Sequence, residues 1–380
     1  MVFVDHVARM SGGEIALLRL LPAIAPYVDA HVILGEDGPL VGEVQSLGVP
    51  CEVLPMSAEL RDVRKDSVAP SRLDPRPLLS LVGYILRLRR RLRQLDPDIV
   101  HTNSLKAALY AGVAGRLAGI PVLWHVRDRI APDYLPKAAV ALVRAASWVL
   151  PTAVVANSAC TLSTLPGLRR GSVLYNPVVP DIILEQPPHA PRAGEALRIG
   201  VVGRLSPWKG QGVFLEAFAR AFPAGPTEAR IIGSAMFGED HFERQLHEQV
   251  ARLGLGDRVE FCGFRADVED ELAQLDVLVH CSTSPEPFGQ VVVEGMAAGL
   301  VVIASDAGGP TEIITDGVDG LLTRPGDVGA LAGAMRRLAD DPALRERLGA
   351  AGRDSARRFS PTAAVERLLI VYGTLMASAH

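Results

Sequence analysis

Two glutamates stand eight positions apart in SPEPFGQVVVEGMAAG, residues 284–299: Glu286 among helix breakers and Glu294 inside an apolar run. Pro285 and Pro287 exclude helix across Glu286. Phe288-Gly289 can turn the backbone, and the pattern predicts a helix from about Gln290, with Glu294 on its second turn. A helix start offers N–H groups without intrahelical partners. Beside it, the Glu286 carboxylate could accept hydrogen bonds from sugar hydroxyls. Glu294, flanked by Val293 and Met296, would be part-buried and in need of donors, which two ribose hydroxyls could supply. A capping glutamate and a helix-surface glutamate would show the same spacing.

A second constellation lies upstream in VVGRLSPWKGQGVFLEAF, residues 201–218. A strand ends at Gly203, a loop bracketed by Arg204 and Lys209 follows, and a helix starts near Gly210. Helix-start N–H groups and two fixed cations suit a diphosphate, each charge-assisted hydrogen bond contributing roughly 1.5–3 kcal/mol. No G-x-x-x-x-G-K-[ST] occurs, so this is not a Walker A loop. By itself the loop reads equally as a solvated turn with two surface cations.

The elements that must position these groups alternate along the chain. MVFVDHV, DAHVILG, CEVLPM, DIVHTNS, PVLWHVRD and AVVANS read as strands, separated by amphipathic stretches such as GGEIALLRLLPAIAPY and LVGYILRLRRRLRQL. Strand–helix alternation predicts parallel sheets with helices on both faces. The pattern breaks in the proline-rich EQPPHAPRAGEA, a linker candidate, then restarts with LRIGVVGRL, EARIIGS, DRVEFCGF, LDVLVHCS and LVVIASD. The expected organisation is a first domain over 1–185, a linker over 186–196, a second domain over 197–360 and a final helical segment over 361–380. Each domain is expected to be a doubly wound, Rossmann-like α/β unit, the two facing a cleft lined by the loops at the carboxyl ends of their strands.

The 380 residues suffice for two domains of middling size. The net charge of −4 gives no support to nucleic-acid binding. Residues 1–190 hold 20 Lys and Arg against 17 Asp and Glu, and the remainder is acidic, so the first half is the more basic. Cys51, Cys160, Cys262 and Cys281 are dispersed, without C-x-x-C, and imply neither a disulfide framework nor a zinc site. His241 and His247 do not share a helical face, and Pro97 makes the DPD of residues 96–98 a turn preceding a strand; no metal is expected. The N-terminus lacks the long apolar region of a signal peptide, and the longest apolar run, residues 138–150, carries Arg144 and is too short to cross a bilayer. These features point to a cytoplasmic protein. The basic helix around Arg87, Arg89, Arg90, Arg91 and Arg93 could give it a peripheral contact with the inner face of the membrane, or serve only as a solvated face.

Taken together, GRLSPWKG and, about 75 residues later, PEPFGQVVVEGMAAG resemble the donor-site pattern of glycosyltransferase family 4, retaining nucleotide-sugar enzymes of the GT-B fold. The likeness extends over nearly the whole chain: SGGEIALLRLLPAI resembles that family's N-terminal Gly-Gly loop and first helix, PDIVHTNS its mid-domain strand, and AGGPTEIITDGVDGLL its last C-domain unit. The resemblance implies transfer of a hexose-type sugar from a UDP- or GDP-sugar, with the donor in the second domain and a small-molecule, glycan or lipid-linked acceptor in the first. It assigns Arg204 and Lys209 to the diphosphate, Glu294 to the ribose and Glu286 to the transferred sugar. The backbone of Phe288, Gly289 and Gln290 would hold the sugar, and the base would lie near Phe264, Arg265, Gly233 and Ser234, beside the Gly203 turn. Gly12 and Gly13 would let the first domain's backbone approach the phosphates. His125 resembles the family's histidine near the sugar's primary hydroxyl, while His101, Asn103 and Asp128 are weaker candidates for the acceptor side. Gln290 and Gly295 stand where the family often has other residues. No cofactor or metal is implied, since cationic side chains can take the metal's place at the diphosphate. A GT-B phosphorylase or nucleotide-sugar synthase, and a non-catalytic nucleotide-sugar-binding homologue, are the rival readings.

Overall fold

The computed structural model describes residues 1–57, 76–180, 183, 185, 196–236, 238–265 and 267–377. They form two compact units, Met1–Pro177 together with Pro361–His380, and Val178–Ser360.

In the first unit, β1 (Val2–Asp5), β2 (His31–Leu34), β3 (Cys51–Val53), β4 (Val100–Thr102), β5 (Val122–Val126), β6 (Ala153–Ala156) and β7 (Gly171–Val173) make one parallel sheet in the order 3-2-1-4-5-6-7. Alternate residues of a strand point to opposite faces. Accordingly Val122, Trp124 and Val126 of β5 join a core with Tyr84, Leu88 and Tyr110, while Leu123 joins another with Phe3, Leu17 and Leu20. Both faces are covered by helices, which is why the strands read as nearly unbroken apolar runs. The helices are α1 (Gly12–Ile24), α2 (Pro39–Ser46), α3 (Arg76–Leu95), α4 (Leu105–Ala118), α5 (Lys137–Val149) and the short α6 (Ala159–Ser163).

The second unit repeats the plan. β8 (Arg198–Val202), β9 (Glu228–Ile232), β10 (Val259–Gly263), β11 (Val277–His280), β12 (Val301–Ser305) and β13 (Leu321–Thr323) form a parallel sheet in the order 10-9-8-11-12-13. Its helices are α7 (Gln211–Ala221), α8 (Asp240–Arg252), α9 (Val268–Leu272), α10 (Gln290–Ala297), α11 (Pro310–Ile313), α12 (Val328–Asp340) and α13 (Pro342–Ala356). The final helix, α14 (Pro361–Ala377), belongs to the first unit, where Val365, Leu368, Tyr372 and Leu375 pack in the same core as Leu17, Leu20, Leu21 and Ile24 of α1. In each sheet the strand order reverses beside the first strand, between β1 and β4 and between β8 and β11. Loops leaving such a pair diverge and open a crevice at the carboxyl ends of the strands.

Two details differ from the sequence reading. The edge strands β7, GSV, and β13, LLT, escaped it, because each is set among glycines and charged residues that read as loop. The first unit ends at Pro177, not at residue 185: Val178 donates its N–H to the Phe359 carbonyl at 2.9 Å, and Arg353 reaches the Ile183 carbonyl at 2.9 Å, so this segment goes with the second unit. Of the expected linker, 186–195 lies outside the described residues, as does most of the charged segment 58–77.

Gly295 is buried on the sheet-facing side of α10, where a Cβ would run into Leu278 of β11 and approach Val302 of β12. Its smallness lets α10 lie close on the sheet. Gly295→Ala is therefore expected to destabilise the second unit by about 1–3 kcal/mol, the usual range for overpacking a filled core. Urea unfolding checks this; an unchanged midpoint would mean that α10 has room to move.

Candidate active site

The loop after β8 opens with Gly203 at φ +146 and runs through a single 3-10 turn, Pro207–Lys209, to Gly210 at φ +78. A Cβ at Gly210 would collide with the Cys281 carbonyl just after β11, so only glycine allows these two loops to approach so closely. Their union is reinforced by Thr283, whose N–H donates to the Trp208 carbonyl at 2.8 Å, and by the Cys281 thiol at 3.2 Å from the Gly210 carbonyl. Gln211 Nε2 in turn donates to the Arg204 carbonyl at 2.9 Å.

At this junction Lys209 Nζ and His280 Nε2 each meet one oxygen of the Glu286 carboxylate, and Ser282 Oγ lies 3.3 Å from the oxygen facing His280. Glu286 is 7% exposed. Burial alone would push its carboxyl up; Lys209 and His280 more than reverse this and hold it well below the usual carboxylate range. Lys209 also lies 4.5 Å from the centroid of the Trp208 ring. Arg204 Nε is 3.6 Å from a carboxylate oxygen of Glu239, whose other oxygen accepts from Ser206 Oγ at 2.8 Å.

Glu286 is held from the far side by the loop between β12 and α11. Gly309 donates its N–H to the Glu286 carbonyl at 2.9 Å, and Gly308, at φ +74, lies so close that a Cβ would strike the Glu286 backbone. A Cβ at Gly309 would strike Phe288, whose buried ring meets Phe359 edge-on at 5.7 Å between centroids. Gly289, at φ +98, then starts α10. Gln290 Nε2 reaches the half-buried Glu294 at 3.4 Å. Gly233 donates its N–H to the Gly263 carbonyl at 2.9 Å and would clash with the Gly203 carbonyl if it bore a side chain. Ser234 accepts from the Leu205 N–H at 3.0 Å. Beyond β10, Phe264 is exposed and Arg265 pairs with Glu271 at 2.9 Å. All the residues assigned to the donor in the second half of the chain thus lie at or just beyond the carboxyl ends of β8, β9, β10 and β11, around the point where the strand order reverses.

The first unit gathers a buried polar layer at the corresponding end of its sheet. His101 Nδ1 lies 2.7 Å from Tyr372 Oη of α14, and His101 Nε2 lies 3.2 Å from His125 Nδ1. Arg127 donates to Asn103 Oδ1 at 2.9 and 3.2 Å, to Asn176 Oδ1, and to His125 Nδ1 at 3.3 Å. Asn103 Nδ2 donates to Asp5 at 2.7 Å and to the Gly13 carbonyl at 3.3 Å, so the amide assigned to an acceptor ties four segments of the domain together. Burial, with Arg127 nearby, pushes His101 down to about 3 and His125 well below the ordinary histidine range; both are neutral at physiological pH. Burial lowers the Arg127 guanidinium to about 10 against the pull of Glu14 and Asp5, so it keeps its charge. Gly12 opens α1, and a Cβ at Gly13 would press on the Arg127 side chain at 3.2 Å. Asp128 accepts from Tyr134 Oη at 2.8 Å.

His280, Gly308, Arg127 and Tyr372 were not singled out from the sequence. His280 and Arg127 each end a strand pattern, LDVLVHCS and PVLWHVRD, and that position was the available signal. Gly308 lay in the stretch that carried the family likeness, but what it touches comes from a loop about twenty residues earlier. Tyr372 had no local signal. Among the described residues no cluster of three or more His, Cys, Asp or Glu could hold a metal ion, and no helix is long and apolar enough to cross a membrane.

The depressed Glu286 value has a consequence for stability. A carboxyl lowered by folding contributes stability above its ordinary value of 4.5 and loses it as pH falls through the folded value. The melting-temperature advantage of the wild type over Glu286→Gln is therefore expected at pH 7 and should shrink as the pH falls below 4.5. A gap that stays constant down to pH 3 would show that the charge of Glu286 is not what the pocket stabilises.

Residues 184–355 match the family profile described as glycosyl transferases group 1, and residues 10–181 match that described as glycosyltransferase family 4. The lipopolysaccharide core biosynthesis glycosyltransferase LpsD of Rhizobium meliloti is 29% identical over 309 residues, 77% of this chain and 81% of its own length. The alpha-D-kanosaminyltransferase of Streptomyces kanamyceticus is 28% identical over 88% of this chain and 97% of its own. The crystal structure of Anabaena HepE in complex with UDP and glucose superposes with a TM-score of 0.82 at 27% identity, covering 98% of both chains. Two Rossmann-like units, a glycosyltransferase profile on each half and full-length similarity to such enzymes establish that the chain belongs to the GT-B glycosyltransferases.

Proposed function

We propose that this enzyme is a retaining member of glycosyltransferase family 4 that moves a hexose-type sugar from a UDP- or GDP-sugar to an acceptor hydroxyl. The observation that carries the reading is the Lys209–Glu286–His280 group at the carboxyl ends of β8 and β11, with Arg204 on the same loop as Lys209. Such a group offers cations for a diphosphate and an ionised carboxylate for hydroxyls within one crevice of one domain. The UDP, glucose and UDP-glucose bound by HepE favour a UDP-sugar as the first donor to try.

The chemistry follows from charge. As the bond from the anomeric carbon to the diphosphate oxygen lengthens, negative charge grows on the leaving group, and Arg204 and Lys209 stabilise it more than they stabilise the bound donor. The oxocarbenium-like sugar is attacked on the face the diphosphate is leaving. A bond forms to the acceptor oxygen, and the acceptor's proton passes to the departing phosphate. Glu286 and Glu294 hold sugar and ribose hydroxyls. The side-chain cations supply the positive charge, so the reaction is expected to proceed unchanged in EDTA. The acceptor, whether a small molecule, a glycan or a lipid-linked glycan, falls to the first unit. Exposed Leu79, Val82 and Leu86, with Arg87 and Arg90 exposed on the same helix α3, suit a peripheral contact with anionic lipid at the inner face of the membrane. Co-sedimentation with anionic but not neutral vesicles tests that contact, and equal recovery with both would remove it.

Incubation with UDP-glucose and GDP-mannose, with free nucleotide release followed and the anomeric configuration of the product read by NMR, tests the main reading. Release of UDP or GDP with retained configuration is expected; an inverted product would overturn it. Lys209→Ala should lower kcat at least about tenfold. Because that change also leaves Glu286 short of a partner, Arg204→Gln is the companion variant. It keeps both Glu286 contacts and should lower kcat comparably at unchanged melting temperature. Near-normal turnover in both would remove the cations from the mechanism.

A further inference from the structure

We propose that Tyr372 and Arg127 hold His125 in the neutral tautomer with its proton on Nε2, so that His125 offers a hydrogen bond to a substrate oxygen and does not accept a proton. The direction of the chain Tyr372–His101–His125 is ambiguous from the histidines alone, since either ring nitrogen can carry the hydrogen. Arginine breaks the ambiguity. Arg127 Nη2 lies 3.3 Å from His125 Nδ1, and a guanidinium can only donate. His125 Nδ1 is therefore an acceptor. His101 Nε2, 3.2 Å from the same atom, must then donate to it and carries the His101 proton. His101 Nδ1 is left as an acceptor, and Tyr372 Oη, 2.7 Å away, donates to it. The opposite direction would set an N–H of His125 against an N–H of Arg127.

The buried terminus of this chain fits the assignment. His125 Nε2 is buried and has no hydrogen-bond partner among the described residues, as a donor awaiting a ligand would be. A buried donor left unpaired costs about 1–3 kcal/mol, which a substrate oxygen would relieve. Both histidines are held neutral by their burial and by Arg127, so neither end of the chain reverses near neutral pH. Tyr372 is thus a positioning residue that acts through His101. It stands on α14, so the C-terminal helix has a part in orienting a group at the far end of β5.

The identity of the substrate oxygen rests on the transferase reading above; the tautomer does not. Long-range 1H–15N correlation spectra of the ligand-free, histidine-labelled full chain, assigned with His101→Gln and His125→Gln, should show both rings neutral and protonated on Nε2. A proton on Nδ1 of His125 overturns the proposal. Tyr372→Phe keeps the ring and removes only the donor. It should let His101 sample both tautomers and lower kcat about fivefold, as expected for one lost hydrogen bond, with the donor KM unchanged and the melting temperature lowered by only about a few degrees. Unaltered histidine spectra in that variant would remove Tyr372 from the chain. If no nucleotide-sugar is turned over while the wild-type spectra are as described, the functional reading fails and the tautomer assignment stands.

Discussion

A carboxylate placed out of water must be compensated by charge and hydrogen bonds, and the second unit is built around one such demand. Glu286 satisfies it with Lys209 and His280, which arrive from different strands: Lys209 from the loop after β8 and His280 from the end of β11. The group can therefore exist only where those strand ends adjoin. Glycines at 210, 308 and 309 make room for it, because a methyl at any of them would collide with Cys281, Glu286 or Phe288. The left-handed backbone at Gly210 and Gly308 and the ionised carboxylate are parts of one arrangement. It places Lys209 and Arg204 on one short loop at the carboxyl end of β8.

The first unit uses the same strand order with the opposite electrostatic logic. Its buried polar layer holds the cation Arg127 beside the carboxyl groups of Asp5 and Glu14, with Asn103 and His125 accepting from it. Asn103 is saturated on both ends of its amide, and the two histidines carry no charge to be neutralised. The layer sets the directions of hydrogen bonds.

The GT-B architecture follows from repeating one doubly wound unit twice, and that repetition was legible from alternating apolar strands and amphipathic helices. The main strands were readable because a parallel sheet covered on both faces leaves little room for polar residues. β7 and β13 were not, because the glycines and charged residues around them leave too few apolar positions to mark a strand. The break at the proline-rich segment told of two domains, whereas the join at Pro177 depended on the Val178–Phe359 hydrogen bond, between residues far apart in the chain.

What the sequence by itself determined was the local chemistry: glycines where the backbone turns out of strands, prolines that bar helix around Glu286, and two cations on a short loop, all encoded within a few residues of one another. What only the tertiary structure decided was which groups meet. His280 beside Glu286, Gly308 behind it, Gly13 under Arg127 and Tyr372 against His101 join residues 6, 22, 114 and 271 positions apart. Such pairs are made by strand order and helix packing, and no local pattern in the chain carries their distance.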